Sequence, residues 1–323
     1  MMAGTCPSLP WRTRLFLFVT SVAANLVRRR DGSVNRCLIS LFEPRAPANP
    51  IPVDGVSSSD HTLDPVRGLW VRVFSPQEHL PVIVYFHGGG FTFHSPATRA
   101  FDALCRRIAR EVPAAVVSVN YRLAPEHRYP AAYDDCFDAL RWVDGASGVL
   151  PAASAVFLAG DSAGGNIAHH VAKRAAAAGS FERVTISGVA LLQPFLGGEA
   201  RTESEVRFGG APPLTMELSD WMWRSFLPLG ADRDHEAANV FGSGSGVEVA
   251  GFPPTAVFVG GCDPIRDRQI GYVKWLRGAG VEVGVVEYLG AFHGFYAYPE
   301  LPEARQVVMD LADFVWVQLG KLR

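Results

Sequence analysis

Gly160-Asp161-Ser162-Ala163-Gly164-Gly165 is the stretch that decides how this chain folds. Before it, Ala155-Val156-Phe157-Leu158-Ala159 is an unbroken apolar run that reads as a buried strand. After it, Asn166 to Arg174 is rich in helix formers until Gly179 can stop the helix. A serine on a tight strand-to-helix turn is displayed at the carboxyl edge of a sheet, with the helix amino end beneath it, and small flanking residues permit the bend. Such a serine is a candidate nucleophile.

Working outward, strand and helix patterns alternate. Trp70–Phe74, Val82–Phe86, Ala115–Asn120, Val184–Leu192, Thr255–Gly260 and Val281–Tyr288 read as strands, and Val82–Phe86 is apolar throughout, as in a sheet covered on both faces. Helices are predicted over Ala97–Arg110, Ala131–Asp144, Asp267–Arg277 and about Glu303–Leu319, with a helix-rich insertion at about 199–230 carrying Trp221 and Trp223. This alternation predicts an α/β fold with a mostly parallel, doubly wound sheet and right-handed crossovers.

The chain of 323 residues is 48% apolar, enough for a large core, and its formal charge of −2 supplies no basic field for nucleic acid. The Arg28-Arg29-Arg30 cluster is too short to supply one. Five dispersed cysteines, Cys6, Cys37, Cys105, Cys136 and Cys262, lack metal-type spacing and read as reduced thiols, hence a cytoplasmic setting with nuclear presence left open. Residues 1–24 admit a secretory signal, since Arg12 and Arg14 precede Leu15-Phe16-Leu17-Phe18-Val19 and Val22-Ala23-Ala24 resembles a cleavage site. The apolar run is too short to span a bilayer. Trp11, Leu15, Phe18, Val22 and Leu26 recur at helical spacing, which favours a retained helix packing that stripe on the protein. Pro44 to Pro65, with Pro47, Pro50 and Pro52, reads as a connecting arm, so that residues 1–60 form a helical lid with its arm and 61–323 the core.

A serine hydroxyl needs a base within hydrogen-bond reach and a carboxylate to orient that base. Of nine histidines, His169 and His170 lie on the helix of Ser162 itself, about 10 Å along its axis, which is too far. His293, in a loop after the last strand, is the candidate base. Asp263, just after Thr255–Gly260, is the candidate acid; Asp267 reads as a helix cap and Glu287 lies within a strand. The order Ser162, Asp263, His293 is that of an α/β-hydrolase sheet. His87-Gly88-Gly89-Gly90-Phe91 follows a core strand, and the N–H groups of Gly88 and Gly89, with that of Ala163, are the expected donors to an oxyanion; His87 reads as a loop anchor.

His87-Gly88-Gly89-Gly90, the run Ser118 to Ala131, the elbow, Asp263-Pro264 and His293-Gly294-Phe295 resemble the hormone-sensitive-lipase group of α/β-hydrolases, specifically the plant carboxylesterases. Asn25-Leu26-Val27-Arg28-Arg29, Pro52 to Val56 and Arg201 to Glu205 also resemble the gibberellin receptors of that group. The resemblance implies an N-terminal lid over a small-molecule site. In the receptors the catalytic histidine is lacking and a serine ends the oxyanion motif, where this chain has His293 and Gly90. Receptor residues that contact hormone fall at Phe101, Leu218, Ser219 and Met222, so the clamp for a carboxylate is missing; Ser162 and Tyr296 remain. Gly90, Phe101, Leu218, Met222 and Tyr296 are thus expected around the substrate, and the triple glycine leaves room for bulky alcohol portions. The expectation is a serine carboxylesterase acting on small to medium esters, with no metal or cofactor and no nucleic-acid partner; the alternative is a non-catalytic binding protein. Monomer and homodimer are both left open.

Overall fold

The computed structural model describes residues 6, 9–29, 32–76, 81–146, 148–150, 155–179, 181–242 and 250–322. Arg30, the last of the arginine cluster, lies outside them. The elements in chain order are α1 (Trp11–Val27), α2 (Arg36–Phe42), β1 (Val56–Asp64), β2 (Leu69–Pro76), β3 (Val82–Phe86), α3 (Arg99–Glu111), β4 (Ala115–Asn120), α4 (Ala131–Gly145) and β5 (Ala155–Asp161). They continue with α5 (Ala163–Ala178), β6 (Thr185–Leu192), α6 (Glu203–Phe208), α7 (Met216–Phe226), β7 (Thr255–Gly260), α8 (Arg266–Gly278), β8 (Val283–Tyr288) and α9 (Pro302–Gly320), with a short 3-10 turn at Phe295–Ala297.

The strands make one sheet in the order β1-β2-β4-β3-β5-β6-β7-β8, antiparallel where β1 meets β2 and β2 meets β4, and parallel from there on. Alternate residues of a strand face opposite sides. In β3, Val82, Val84 and Phe86 therefore join the core under α4, α5 and α8, while Ile83 and Tyr85 join the core under α3 and α9. With helices on both faces, no residue of β3 or β5 can afford exposure, which is why both read as unbroken apolar runs.

Three expectations are corrected. The connecting arm does not run to Pro65 without structure: Val56–Asp64 is an edge strand. The prolines lie before and after this strand, and its open side is wet, so the exposed Ser59 and Asp60 are compatible with an edge position. The Trp11/Leu15/Phe18/Val22/Leu26 stripe of α1 faces outward, with Trp11 68% and Phe18 64% exposed, and Thr13, Leu17, Ala23 and Val27 face inward instead. Because α1 is apolar on both sides, periodicity alone did not choose the buried one. Finally, Cys6 and Cys262 form a disulfide across a separation of 256 residues, leaving Cys37, Cys105 and Cys136 as free thiols. The pairing arises from the course of the N-terminal segment over the core, which spacing could not show.

That course matters for the site. At its start α1 meets the segment beyond His293, with Thr13 Oγ1 donating to Glu300 at 2.9 Å and Phe16 set edge-on to Tyr298. At its end Arg28 lies against α7, 3.4 Å from Glu217 and over the Trp221 ring. Among the described residues no helix is long and apolar enough to cross a membrane.

Candidate active site

β5 ends at Asp161 and α5 begins at Ala163, so Ser162 carries the whole reversal of direction. It adopts φ 51° and ψ −116°, a region costly for any residue with a side chain. The strain is held by its neighbours: Ser162 N–H donates to Leu192 O at 2.8 Å, and Ser162 O accepts from Phe195 and Asn166. Glycine is required on both sides, because a Cβ on Gly160 would overlap Gly164 O and one on Gly164 would overlap Phe86 O.

The hydroxyl of Ser162 lies 2.9 Å from His293 Nε2, and His293 Nδ1 lies 2.8 Å from Asp263 Oδ2. With the Nδ1 proton facing the carboxylate, Nε2 is left to accept the serine proton. Asp263 is fully buried and satisfied by further donors: Ile265 N–H on Oδ1 at 3.0 Å, and the amides of Gln193 and Gln269 on Oδ2, each at 2.9 Å. His169 is bonded to Tyr272 and His170 is stacked on Tyr133, both far from this chemistry in role. Asp267 is not the cap of α8; it accepts the N–H of Ser204 and so fastens α6.

The glycine loop after β3 departs from expectation at one position. Gly88 gives its N–H to Asp161 Oδ1 at 2.9 Å, because β3 and β5 pair in register and bring the residues after Phe86 beside the end of β5. That donor is committed. Among the described residues the N–H groups of Gly89, Gly90 and Ala163 meet no protein acceptor. Gly89 and Gly90 both have positive φ, +111° and +59°, and a Cβ on Gly89 would come within 2.5 Å of Phe93 O. His87 is a loop anchor: its ring stacks on Tyr121 and contacts Gly88 O, and burial pulls it down to about 3, so it is neutral.

Of the other expected site residues, Gly90 and Met222 are neighbours, since a Cβ on Gly90 would overlap the Met222 thioether. Leu218 precedes Met222 by one turn of α7 and is buried with it. Phe101 packs against His87 and His94. Tyr296 is buried beside Asp161, to which its hydroxyl donates.

Sequence reasoning missed Asp161, Gln193, Gln269 and a Glu43–His94 pair. Asp161 is buried, and burial pushes its carboxyl up to about 6 even though Tyr85, Tyr296 and Gly88 all donate to it. Glu43, just past α2, sits 2.9 Å from His94 Nδ1. Burial pulls His94 down, but the adjacent carboxylate overcomes this and raises it above the ordinary value. A helix-terminal acid followed by an arm carries no signal of such a partner. For Asp161 the signal was its place inside the elbow motif.

The sequence pattern of the family described as alpha/beta hydrolase fold matches residues 83–297. The chain belongs to the α/β-hydrolases. This hydrolase is 40% identical to the gibberellin receptor GID1 of Oryza sativa subsp. japonica, over 95% of this chain and 94% of the receptor. It is 37% identical to Carboxylesterase 20 of Arabidopsis thaliana, over 90% and 95%. Among solved structures it resembles the Pyrobaculum calidifontis esterase at TM-score 0.72 and 30% identity, covering 96% of this chain and 93% of that one. Receptor-like and esterase-like relatives thus share one fold with it.

Proposed function

We propose that this hydrolase is a serine carboxylesterase. The observation that carries the reading is the unbroken relay from Ser162 Oγ through His293 to Asp263, at 2.9 and 2.8 Å. Ser162 Oγ attacks the ester carbonyl while its proton passes to His293 Nε2, and Asp263 stabilises the imidazolium. The N–H groups of Gly89, Gly90 and Ala163 take the developing oxyanion, in place of the Gly88 donor that Asp161 occupies. Collapse breaks the bond to the alcohol, which leaves with the proton from His293. Water, deprotonated by the same nitrogen, then attacks the acyl-serine and releases the acid.

Gly90, Phe101, Leu218 and Met222 supply apolar surface and no cation, which suits an uncharged ester. In this reading α1 and α2 act as a lid and α6–α7 as a cap. The similarity to receptors favours a second reading, a site that binds without turnover, but such a site has no use for an oriented base. Hydrolysis of p-nitrophenyl acetate by the purified chain, compared with Ser162→Ala, separates the two: turnover that depends on Ser162 supports the esterase, and its absence supports the binding protein.

A further inference from the structure

Gln193 lies one residue beyond β6, at the carboxyl edge of the sheet, fully buried and with φ 45°. A left-handed backbone is uncommon for a residue with a side chain, and here it aims the amide at the catalytic loop. All of the amide is used. Nε2 donates to Asp263 Oδ2 at 2.9 Å and to Phe292 O at 3.1 Å, and Oε1 accepts from Gly294 N–H at 2.7 Å. Phe292 and Gly294 are the residues on either side of His293. Its own N–H is fixed to Phe258 O at 2.8 Å, so the grip is anchored on β7.

We infer that Gln193 is a positioning residue that holds the acid and both backbone neighbours of the base in one arrangement. The inference rests on the reading of Ser162, Asp263 and His293 as a triad. A base carried on a loop needs such support: His293 stands between the end of β8 and a single 3-10 turn, and Gly294 beside it has φ +80°. Neither flank fixes the imidazole by regular structure, and a displacement of about 1 Å at a reacting group can cost about 10²-fold in rate. Gln193 closes the gap from a strand end.

The same amide has an electrostatic role. Asp263 Oδ2 accepts from His293, Gln193 and Gln269, so the carboxylate charge is shared among three donors. Removing one leaves more of that charge facing His293 and favours the imidazolium. The next titratable neighbours are Tyr296, which feels Asp263 and bonds to Asp161, and Asp161 itself. Both stay in place when Gln193 is changed.

The test is the pH profile of kcat/KM, with kcat and KM resolved, on p-nitrophenyl butyrate for the full chain and for Gln193→Leu, Gln193→Asn and Ser162→Ala. Gln193→Leu is expected to lose about 10- to 100-fold in kcat with little change in KM, as misplacement of a reacting group does. Its acidic limb should move to higher pH. Gln193→Asn, which tolerates the left-handed backbone and keeps a shorter amide, should be intermediate in both. An active Ser162→Ala would overturn the triad itself. An inactive Ser162→Ala beside a Gln193→Leu with native kcat and native acidic limb would overturn the role of Gln193 alone. A loss of kcat with an unmoved limb and no recovery in Gln193→Asn would also overturn it, leaving a core filler. Should Gln193→Leu fail to fold, the position of the Gln193→Asn limb decides: raised supports the inference, native overturns it.

Discussion

Gly88 N–H and Asp161 Oδ1 are hydrogen-bonded at 2.9 Å, which ties the glycine loop after β3 to the residue just before Ser162. Asp161→Ala would leave that buried N–H without an acceptor and free the loop to shift. We expect kcat to fall by at least about 10-fold, given that a lost oxyanion donor costs about 10²–10³. Asp161→Asn keeps an acceptor oxygen for Gly88 and Tyr85 and should retain more turnover than Asp161→Ala. Equal activities in the two variants would contradict the tie.

Stability should depend on pH through the same residue. Asp161 is raised from 3.8 to about 6 by burial, so folding favours its protonated form. Its contribution is therefore fully present below about 3.8 and is lost as pH rises through about 6. Asp161→Asn removes the buried charge, so thermal unfolding should show it stabilised at pH 7.5 and not at pH 4. A variant destabilised equally at both would exclude a buried charge as the cause.

The two faces of α1 make opposite predictions. Leu17 is 4% exposed and belongs to the core under α3 and α9. Leu17→Ala should cost about 2–5 kcal/mol in urea unfolding, as truncation of a buried leucine does. Leu15→Ser and Phe18→Ser, on the outward face, should stay within about 0.5 kcal/mol. The reverse order would mean that the stripe is buried.

Cysteine pairing is open to direct counting. Alkylation of the denatured, unreduced protein should modify three thiols, Cys37, Cys105 and Cys136, and peptide mapping should recover Cys6 joined to Cys262. Five modified thiols would restore the reading of a fully reduced chain.

Room beside the glycine loop after β3 is set by Met222 as much as by Gly90. A side chain on Gly90 would meet the Met222 thioether and would also sit at φ +59°, so Gly90→Ser should slow linear and branched esters alike. Met222→Ala should instead raise the ratio of tert-butyl to butyl ester hydrolysis. An unchanged ratio would remove Met222 from the pocket.

Much of the site was legible because each part stands at a strand end in a fixed order. Ser162, Asp263 and His293 follow β5, β7 and β8, and the parallel sheet brings those ends to one edge. What stayed hidden depends on contacts between elements. The bond that claims Gly88 exists because β3 pairs with β5, and Gln193 belongs to no motif and acts on residues about a hundred positions away. β1 was obscured by the polar residues an edge tolerates, and α1 by being apolar on both faces.

The measurement closest to the central claim is intact-mass analysis after equimolar diethyl p-nitrophenyl phosphate, which phosphorylates an activated serine. With the relay of Ser162, His293 and Asp263 as described, one diethylphosphoryl adduct should form and map to the Ser162 peptide. It should be absent in Ser162→Ala and strongly slowed in His293→Ala. No adduct on the native chain, or labelling that survives in Ser162→Ala, would contradict the assignment of Ser162 as an activated nucleophile.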